Sequence, residues 1–261
     1  MQTSTLLVKK VGPVSWLTLN RPDALNALTD ELVGALEQQM QAANQDPEVR
    51  VVVLQGAGGH FCSGLDLKVA LPSTLGESEA AATIGRFQAL IRAIVQAQKP
   101  YVACVRGAAV GFGADLALAC DFRVLGGSAF IQEKFVDIGL MPDGGGTFWL
   151  PRLVGLGRAL ELLMLARRID AERALALGLA TQVTDDADVE RSSQELADEL
   201  CGKAPLALAA IKAAVRLAIE RGLSEALAEE QAGQTRLLSS HDFREGVRAW
   251  SERRTPKFTG Q

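Results

Sequence analysis

The chain has 261 residues, of which 48% are hydrophobic and 22% are charged, and its formal net charge is −4. This composition excludes a disordered chain and predicts one large packed domain, with room for a helical appendage. The negative charge argues against a nucleic-acid partner, which would need a basic surface.

Predicted strands and helices alternate through the first half of the chain. In order they are strands at 6–8 and 14–19 that form a hairpin, a helix from Thr29, a strand at 49–54, a helix at 79–98, a strand at 101–105, a helix ending near Cys120 and a strand at 121–125. The inner strands are continuous apolar runs, which is typical of strands covered on both faces. We therefore predict an α/β protein whose parallel strands are joined by right-handed crossovers.

The second half of the chain is mostly helical. Strand signals nearly vanish after Pro151, and the chain ends in helical patterns at 204–221, 223–238 and 241–254. We place a boundary near residue 200, so that residues 1–200 form the core with the site and residues 201–261 form a helical C-terminal region. Such an amphipathic region packs on another subunit or covers a site.

Targeting and metal-binding signals are missing from the sequence. The N-terminal segment has no secretory signal, so we expect a cytoplasmic protein. The apolar run from Tyr101 to Cys120 is interrupted by Arg106, Asp115 and several glycines, which predicts a strand, loop and helix and no membrane span. The cysteines have no CxxC spacing and no paired histidines, so we expect no metal site.

Two glycine-rich loops, at 56–68 and 107–115, follow consecutive buried strands. Neither matches the P-loop or dinucleotide-binding pattern. A single loop of this kind would be interpreted as a tight turn, but ligands of parallel sheets bind beyond the carboxyl ends of the strands. Free backbone N–H groups in two such loops can stabilise a developing oxyanion.

A third glycine-rich stretch, 139–146, reads GLMPDGGG and contains a single carboxylate, Asp143. In an apolar pocket this group would have a raised pKa and could carry a proton. On the residues alone the favoured interpretation is the N-cap of a helix starting at Gly144. Asp115 has the same two interpretations, since an acid in the first turn of a helix also interacts favourably with the helix dipole.

Four ordered segments resemble the crotonase superfamily, the enoyl-CoA hydratases and isomerases. They are NRPDALNAL at 20–28, FCSGLDLK at 61–68, the second glycine loop with its helix at 107–121, and the tail at 245–258. The likeness covers nearly the whole chain. It is specific for the superfamily and much less specific for the reaction.

The resemblance implies a spiral of ββα units with a helical C-terminal region, assembled as a homotrimer or a dimer of trimers. It implies an acyl-CoA thioester as substrate and no cofactor, because coenzyme A enters as part of the substrate. The backbone N–H groups of Leu65 and Phe112 would form the oxyanion hole for the thioester oxygen. The implied substrate- and CoA-binding residues are Ala24, Cys62, Gly64, Asp66, Leu67, Lys68, Gly111 and Phe135, with Phe243 and Lys257 near the nucleotide end, from this or a neighbouring subunit.

The resemblance also bears on the reaction. Hydratases of the superfamily use two glutamates, whose positions fall here on Asp115 and Phe135. Glu133 is two residues from Phe135 and would share its face of an extended segment. Asp143 falls where several isomerases carry a catalytic aspartate, so we predict isomerisation by Asp143, assisted by Asp115. Hydration through Asp115 and Glu133 is the alternative.

Two other classes of function stay open. A serine or cysteine hydrolase would need a histidine base, and the sequence holds only His60 and His241. A non-catalytic acyl-CoA-binding or scaffold protein is the remaining alternative, although acids at both 115 and 143 argue against it.

Overall fold

A computed structural model describes residues 4–68, 76–219 and 221–261. The strands within these ranges are β1 (Leu6–Val11), β2 (Val14–Leu19), β3 (Val51–Gly56), β4 (Tyr101–Val105), β5 (Ala108–Val110), β6 (Phe122–Gly126), β7 (Phe130–Gln132), β8 (Ile169–Asp170) and β9 (Gln182–Thr184). The helices are α1 (Asp30–Gln45), α2 (Glu77–Gln96), α3 (Phe112–Ala119), α4 (Gly146–Val154), α5 (Leu156–Met164), α6 (Ala171–Ala176), α7 (Val189–Cys201), α8 (Pro205–Ala218), α9 (Leu223–Leu238) and α10 (His241–Glu252).

The larger sheet has the strand order β1-β2-β3-β4-β6-β9. β1 and β2 form the predicted antiparallel hairpin, and the pairs from β2 through β9 are all parallel. Val51 to Leu54 in β3 are fully buried because helices cover both faces of the sheet. Val52 and Leu54 face the main core, whereas Val51 and Val53 pack with residues of α7. The predicted parallel α/β architecture is confirmed.

A second, smaller sheet has the order β5-β7-β8 and comes from segments of only two or three residues. The hydrophobic pattern did not predict these strands, since so few residues carry no recognisable period. The same holds for β9, which extends the larger sheet after Pro151. A bridge between Cys62 and Ala109 links the loop after β3 to this second sheet.

The helices that were predicted individually occur where expected, whereas α5, α6 and α7 had no individual prediction. Thr29 is the N-cap of α1, and its hydroxyl accepts a hydrogen bond from the N–H of Leu32 (3.3 Å). The three C-terminal helices occur where they were predicted, although residue 220 of the first lies outside the described ranges. Among the described residues, no helix is both long and apolar enough to cross a membrane.

The first of the C-terminal helices, α8, is attached to the core of the same chain by a largely buried ion cluster. Lys212 Nζ and Arg216 Nη2 of α8 each lie 2.8 Å from a different oxygen of Asp121, at the start of β6. Lys212 also donates to the backbone carbonyls of Ile94 and Lys99. Polar contacts therefore join the regions before and after residue 200. Whether the two regions are separate domains stays a prediction.

Candidate active site

The two glycine loops are joined edge to edge. Cys62 N donates to Ala108 O and Val110 N donates to Cys62 O, both at 2.9 Å. This approach requires glycine at two positions. A Cβ on Gly113 would lie 2.2 Å from Cys62 O, and one on Gly64, whose φ is +90°, would lie 2.9 Å from Val110 O.

The junction leaves two backbone N–H groups available. Phe112 is the first residue of α3, where the N–H has no acceptor within the helix. Leu65 pairs with Leu28 through its neighbours, since Leu28 N donates to Gly64 O and Asp66 N to Leu28 O, and so its own N–H faces away from that pairing. Neither N–H has a protein acceptor in the described part of the chain. The pair can therefore polarise a carbonyl oxygen, helped by the N-terminus of α3.

A cavity of about 490 Å³ opens at this pair. Its walls come from the first glycine loop, α2, the second glycine loop and the segment before α4. They are Ser63, Gly64, Leu65, Leu67, Ala80, Thr83, Ile84, Phe87, Val110, Gly111, Phe112, Lys134, Phe135, Ile138, Leu140, Met141 and Asp143. Most of these side chains are apolar, so the cavity suits an acyl chain, and Asp143 is the carboxylate in its wall.

Asp143 is half-buried and is not a helix cap. Helix α4 begins at Gly146 with Gly145 as its N-cap, so the capping interpretation of Asp143 is wrong. Gln88 of α2 holds its backbone, because Gln88 Nε2 donates to Asp143 O at 2.9 Å. The sequence analysis missed Gln88, whose only local signal is its place beside Phe87, a cavity residue.

Two further carboxyl groups lie behind Asp143. Asp115 is fully buried, and its Oδ2 accepts a hydrogen bond from Gly144 N (3.0 Å). A Cβ on Gly146 would lie 2.9 Å from both Asp115 Oδ1 and Glu133 Oε1, so these two oxygens lie within twice that distance of each other. Asp115 therefore contacts the glycines at 144 and 146. An acid that served only to interact with the helix dipole would not need this contact.

All three carboxyl groups have raised pKa values. Burial raises the pKa of Asp115 to about 8, opposed by the N–H of Gly144 and reinforced by the charge of Asp143. Burial, and then the charges of Asp115 and Asp143, raise the pKa of Glu133 well above its usual range. Burial also raises the pKa of Asp143. The buried pair therefore holds protons more tightly than ordinary carboxyl groups do, and the cluster can act as an acid and base.

Glu133 and Phe135 are both buried while Lys134 between them is exposed, as the alternation predicts. Their surroundings nevertheless differ. Phe135 starts a 3-10 helix and lines the cavity, with its ring beside Gly111. Glu133 faces Gly146 and does not belong to the cavity wall.

The predicted CoA-binding residues are only partly brought together. Gly64, Leu67, Gly111 and Phe135 line the cavity, beside the predicted oxyanion-hole residue Leu65.

Four other predicted residues lie in or beside the first glycine loop but do not line the cavity. They are Ala24, Cys62, Asp66 and Lys68. Asp66 forms an ion pair with Arg21 (2.9 Å) and also accepts from Lys68 N (3.3 Å). Ala24 O accepts from Ser63 Oγ at 3.4 Å. The side chain of Cys62 is buried beneath the loop, where its Sγ accepts from Gly64 N at 3.4 Å.

Phe243 and Lys257 lie elsewhere in the fold. Phe243 on α10 lines a different groove, together with Trp250 and Phe258, and the backbone N–H of Lys257 donates to Glu245. Neither residue belongs to the wall of the 490 Å³ cavity. Their contribution to CoA binding stays a prediction.

A sequence model of the family described as enoyl-CoA hydratase/isomerase matches residues 10–261. The chain belongs to the enoyl-CoA hydratase/isomerase family. It is 40% identical over 247 residues to a protein of Rhodobacter capsulatus named probable enoyl-CoA hydratase, covering 94% of each chain. It is 36% identical over 250 residues to the 1,2-epoxyphenylacetyl-CoA isomerase of Escherichia coli, covering 95% of each.

Solved structures agree with this membership of the hydratase/isomerase family. The crystal structure of an enoyl-CoA hydratase from a Polaromonas species superposes with a TM-score of 0.94 at 36% identity, covering 97% of this chain and 99% of that one. The resemblance to the crotonase superfamily and the predicted fold are thereby confirmed, and the protein is an enzyme. The relatives include both hydratases and isomerases, so the choice between the two reactions depends on the carboxyl groups.

Proposed function

We propose that the enzyme moves a carbon–carbon double bond in an enoyl- or dienoyl-type acyl-CoA, with Asp143 as the acid and base and Asp115 assisting. One observation carries the proposal. Asp143 is the carboxylate in the wall of the cavity that also contains Leu65 and Phe112. A group that carries a proton from one carbon to another must reach both carbons, which requires such a position.

The geometry supports a simple reaction sequence. The thioester oxygen accepts hydrogen bonds from the N–H groups of Leu65 and Phe112, which stabilise negative charge on that oxygen. Ionised Asp143 removes a proton from the acyl chain, forming an enolate. The same group, now protonated, returns the proton to a different carbon. Its raised pKa favours the first step, because the conjugate base of a weaker acid removes a proton more readily.

Coenzyme A would take part only as the portion of the substrate that carries the acyl group, and we propose no metal or redox cofactor. The charge that develops in this reaction is an oxyanion, for which the two N–H groups are suited. We also propose a cytoplasmic location and no nucleic-acid partner, in keeping with the net charge of −4.

Hydration is the second candidate. Two observations favour it: hydratases are among the relatives, and Asp115 and Glu133 both face Gly146, close enough to act on one water molecule. Against it, both carboxyl groups are buried outside the cavity wall, and Phe135 occupies the position where the superfamily's second glutamate would fall.

We further propose a homotrimer or dimer of trimers, in which the C-terminal helices contact a neighbouring subunit. Large apolar side chains are exposed on them in the single chain, including Trp250 at 83% and Leu223 at 76%. Such exposure is costly in water and is relieved by association. Phe243 and Lys257 would then reach the nucleotide end of a substrate across the interface.

The test is an assay of purified enzyme with 2-enoyl-, 3-enoyl- and dienoyl-CoA thioesters, together with Asp143→Asn and Asp115→Asn. We expect isomerised products and a loss of at least about 100-fold in kcat for Asp143→Asn. Hydration of the 2-enoyl thioester that survives Asp143→Asn but not Asp115→Asn would instead establish the second candidate. Binding of none of the thioesters would overturn both.

A further inference from the structure

Glu133 is a buried titratable residue for which the proposed reaction has no direct use. It is only 2% exposed, and neither of its carboxyl oxygens has a hydrogen-bond partner within the described residues. The titratable groups that act on it are Asp115 of α3 and Asp143 of the segment before α4, and both are acids. An ionised carboxylate in this position would be buried without a compensating charge, which is strongly unfavourable.

One carboxyl oxygen of Asp115 also lacks a hydrogen bond in the described part of the chain. Its Oδ2 accepts from Gly144 N. Its buried Oδ1 faces the same point beside Gly146 as Glu133 Oε1 and has no partner of normal hydrogen-bond geometry within the described residues, although the N–H of Gly146 also acts to lower the pKa of Asp115. A carboxylate oxygen can only accept, whereas a protonated carboxyl group can donate. One proton on Glu133 would therefore satisfy an orphaned atom on each residue.

We propose that Glu133 is a positioning residue that remains protonated and donates a hydrogen bond to Asp115 Oδ1, directly or through one buried water molecule. This inference rests on the proposed function, in which Asp115 assists Asp143. Glu133 does not line the cavity and touches no substrate. It acts by holding Asp115 in place and by stabilising the negative charge on Asp115 when that group gives up its proton.

The inference assigns separate protonation states to three neighbouring acids. Asp143 reaches the cavity and exchanges its proton with the substrate. The charge of Asp143 acts on Asp115, and Glu133 keeps its proton throughout. Because Glu133 stays uncharged, the cluster does not accumulate three negative charges in a buried site.

Two substitutions at Glu133 separate this role from a purely steric one. Glu133→Gln keeps the volume and a donor, so we expect kcat to fall by no more than roughly threefold. Glu133→Leu keeps a similar volume but removes the donor, and we expect kcat to fall by about 10- to 100-fold with little change in KM. Equal activity of the two variants would overturn the inference, and thermal melting of both checks that they fold.

The pH profile gives a second readout. If Glu133 is uncharged over the pH range of activity, Glu133→Gln should not move the alkaline limb of the kcat–pH profile, which we assign to Asp115. If Glu133 were ionised, its charge would raise the pKa of Asp115, and Glu133→Gln would move that limb to lower pH. Such a movement would overturn the inference.

Infrared spectroscopy of the substrate-free enzyme tests the protonation state without any assay. We expect the carbonyl-stretch band of a protonated carboxylic acid at neutral pH, shifted by isotopic labelling of glutamate and lost in Glu133→Gln. An unchanged band in Glu133→Gln would contradict the inference. If the band behaves as expected but the enzyme hydrates its substrate, the protonation of Glu133 stands and only the proposed isomerisation is overturned.

Discussion

The Nε2 atom of Gln88 donates a hydrogen bond of 2.9 Å to the backbone carbonyl of Asp143. This contact ties α2, which forms one wall of the cavity, to the carboxylate proposed to carry the proton. Side chains of the neighbouring turn of α2, including Thr83 and Phe87, line the cavity beside it. A substrate that packs against α2 therefore also contacts the element that holds Asp143.

Loss of this contact should reduce turnover. For Gln88→Leu we expect kcat to fall by about 10-fold, because one hydrogen bond that fixes the backbone of Asp143 is removed. The matched control is Gln96→Leu, an exposed glutamine at the end of the same helix, which should leave kcat unaltered. Steady-state kinetics of the two variants make the comparison, and equal losses in both would show that the bond to Asp143 has no special role.

Gly64 should be indispensable to the oxyanion hole. A Cβ at this position would lie 2.9 Å from Val110 O and 3.3 Å from Phe112 N, between the two loops that supply the N–H groups. We expect Gly64→Ala to lower kcat by about 100- to 1000-fold, the usual effect of losing one oxyanion donor.

A control for backbone strain is available in the same loop. Gly59 has a φ of +89°, against +90° for Gly64, but a Cβ on Gly59 would meet nothing within 4 Å. Gly59→Ala therefore introduces the same conformational strain without the contact. Comparable losses of activity in the two folded variants would argue against the oxyanion hole at Leu65 and Phe112.

The pH dependence of kcat should be bell-shaped. Asp143 must be ionised to remove a proton, so activity falls as the pH drops through its pKa, which burial places above the ordinary aspartate range. Asp115 must be able to hold a proton, so activity falls as the pH rises through its pKa of about 8. The profile of Asp115→Asn should lack the alkaline limb, and retention of that limb would assign it to another group.

The same pKa of Asp115 makes the folded state less stable as the pH rises. Between about pH 4 and pH 8 the carboxyl group is ionised in the unfolded chain but protonated in the folded protein, where its pKa is about 8. The unfolded state therefore binds fewer protons, and the free energy of unfolding decreases with pH across this window. Urea unfolding at several pH values should give a shallower decrease for Asp115→Asn than for the unmodified protein; parallel curves would contradict the assignment.

The ion cluster of Asp121, Lys212 and Arg216 should contribute to stability. Asp121→Asn leaves two largely buried cations without their shared partner, and we expect a loss of about 3 kcal/mol in the free energy of unfolding. The exposed pair of Lys10 and Glu48 is the control, since Glu48→Gln should cost less than about 1 kcal/mol. Equal values from urea unfolding would mean that α8 is held to the core mainly by apolar packing.

Local pattern in the sequence was sufficient for much of the fold and for part of the candidate site. Continuous apolar runs identified β3 and β4 because both faces of these strands are buried, and helical periods placed α1, α9 and α10 to within a few residues. The glycine loops indicated backbone donors for an oxyanion, since glycine is needed wherever two backbones approach closely, and the resemblance to the crotonase superfamily assigned these donors to Leu65 and Phe112. Asp143 drew attention as the sole carboxylate within a glycine-rich turn, but the resemblance to the crotonase superfamily was needed to prefer catalysis over a helix cap.

Only the tertiary structure decided which acids act together. Asp115 in α3 and Glu133 after β7 are separated by two strands along the chain, yet both face Gly146. The same is true of Gln88 and Asp143, which are 55 residues apart and joined by one hydrogen bond. The hydrophobic period of a helix or strand is set by residues close together in sequence, so it can be recognised from the sequence alone. Hydrogen bonds and carboxyl pKa values depend on distances of a few ångström that exist only after the elements have packed.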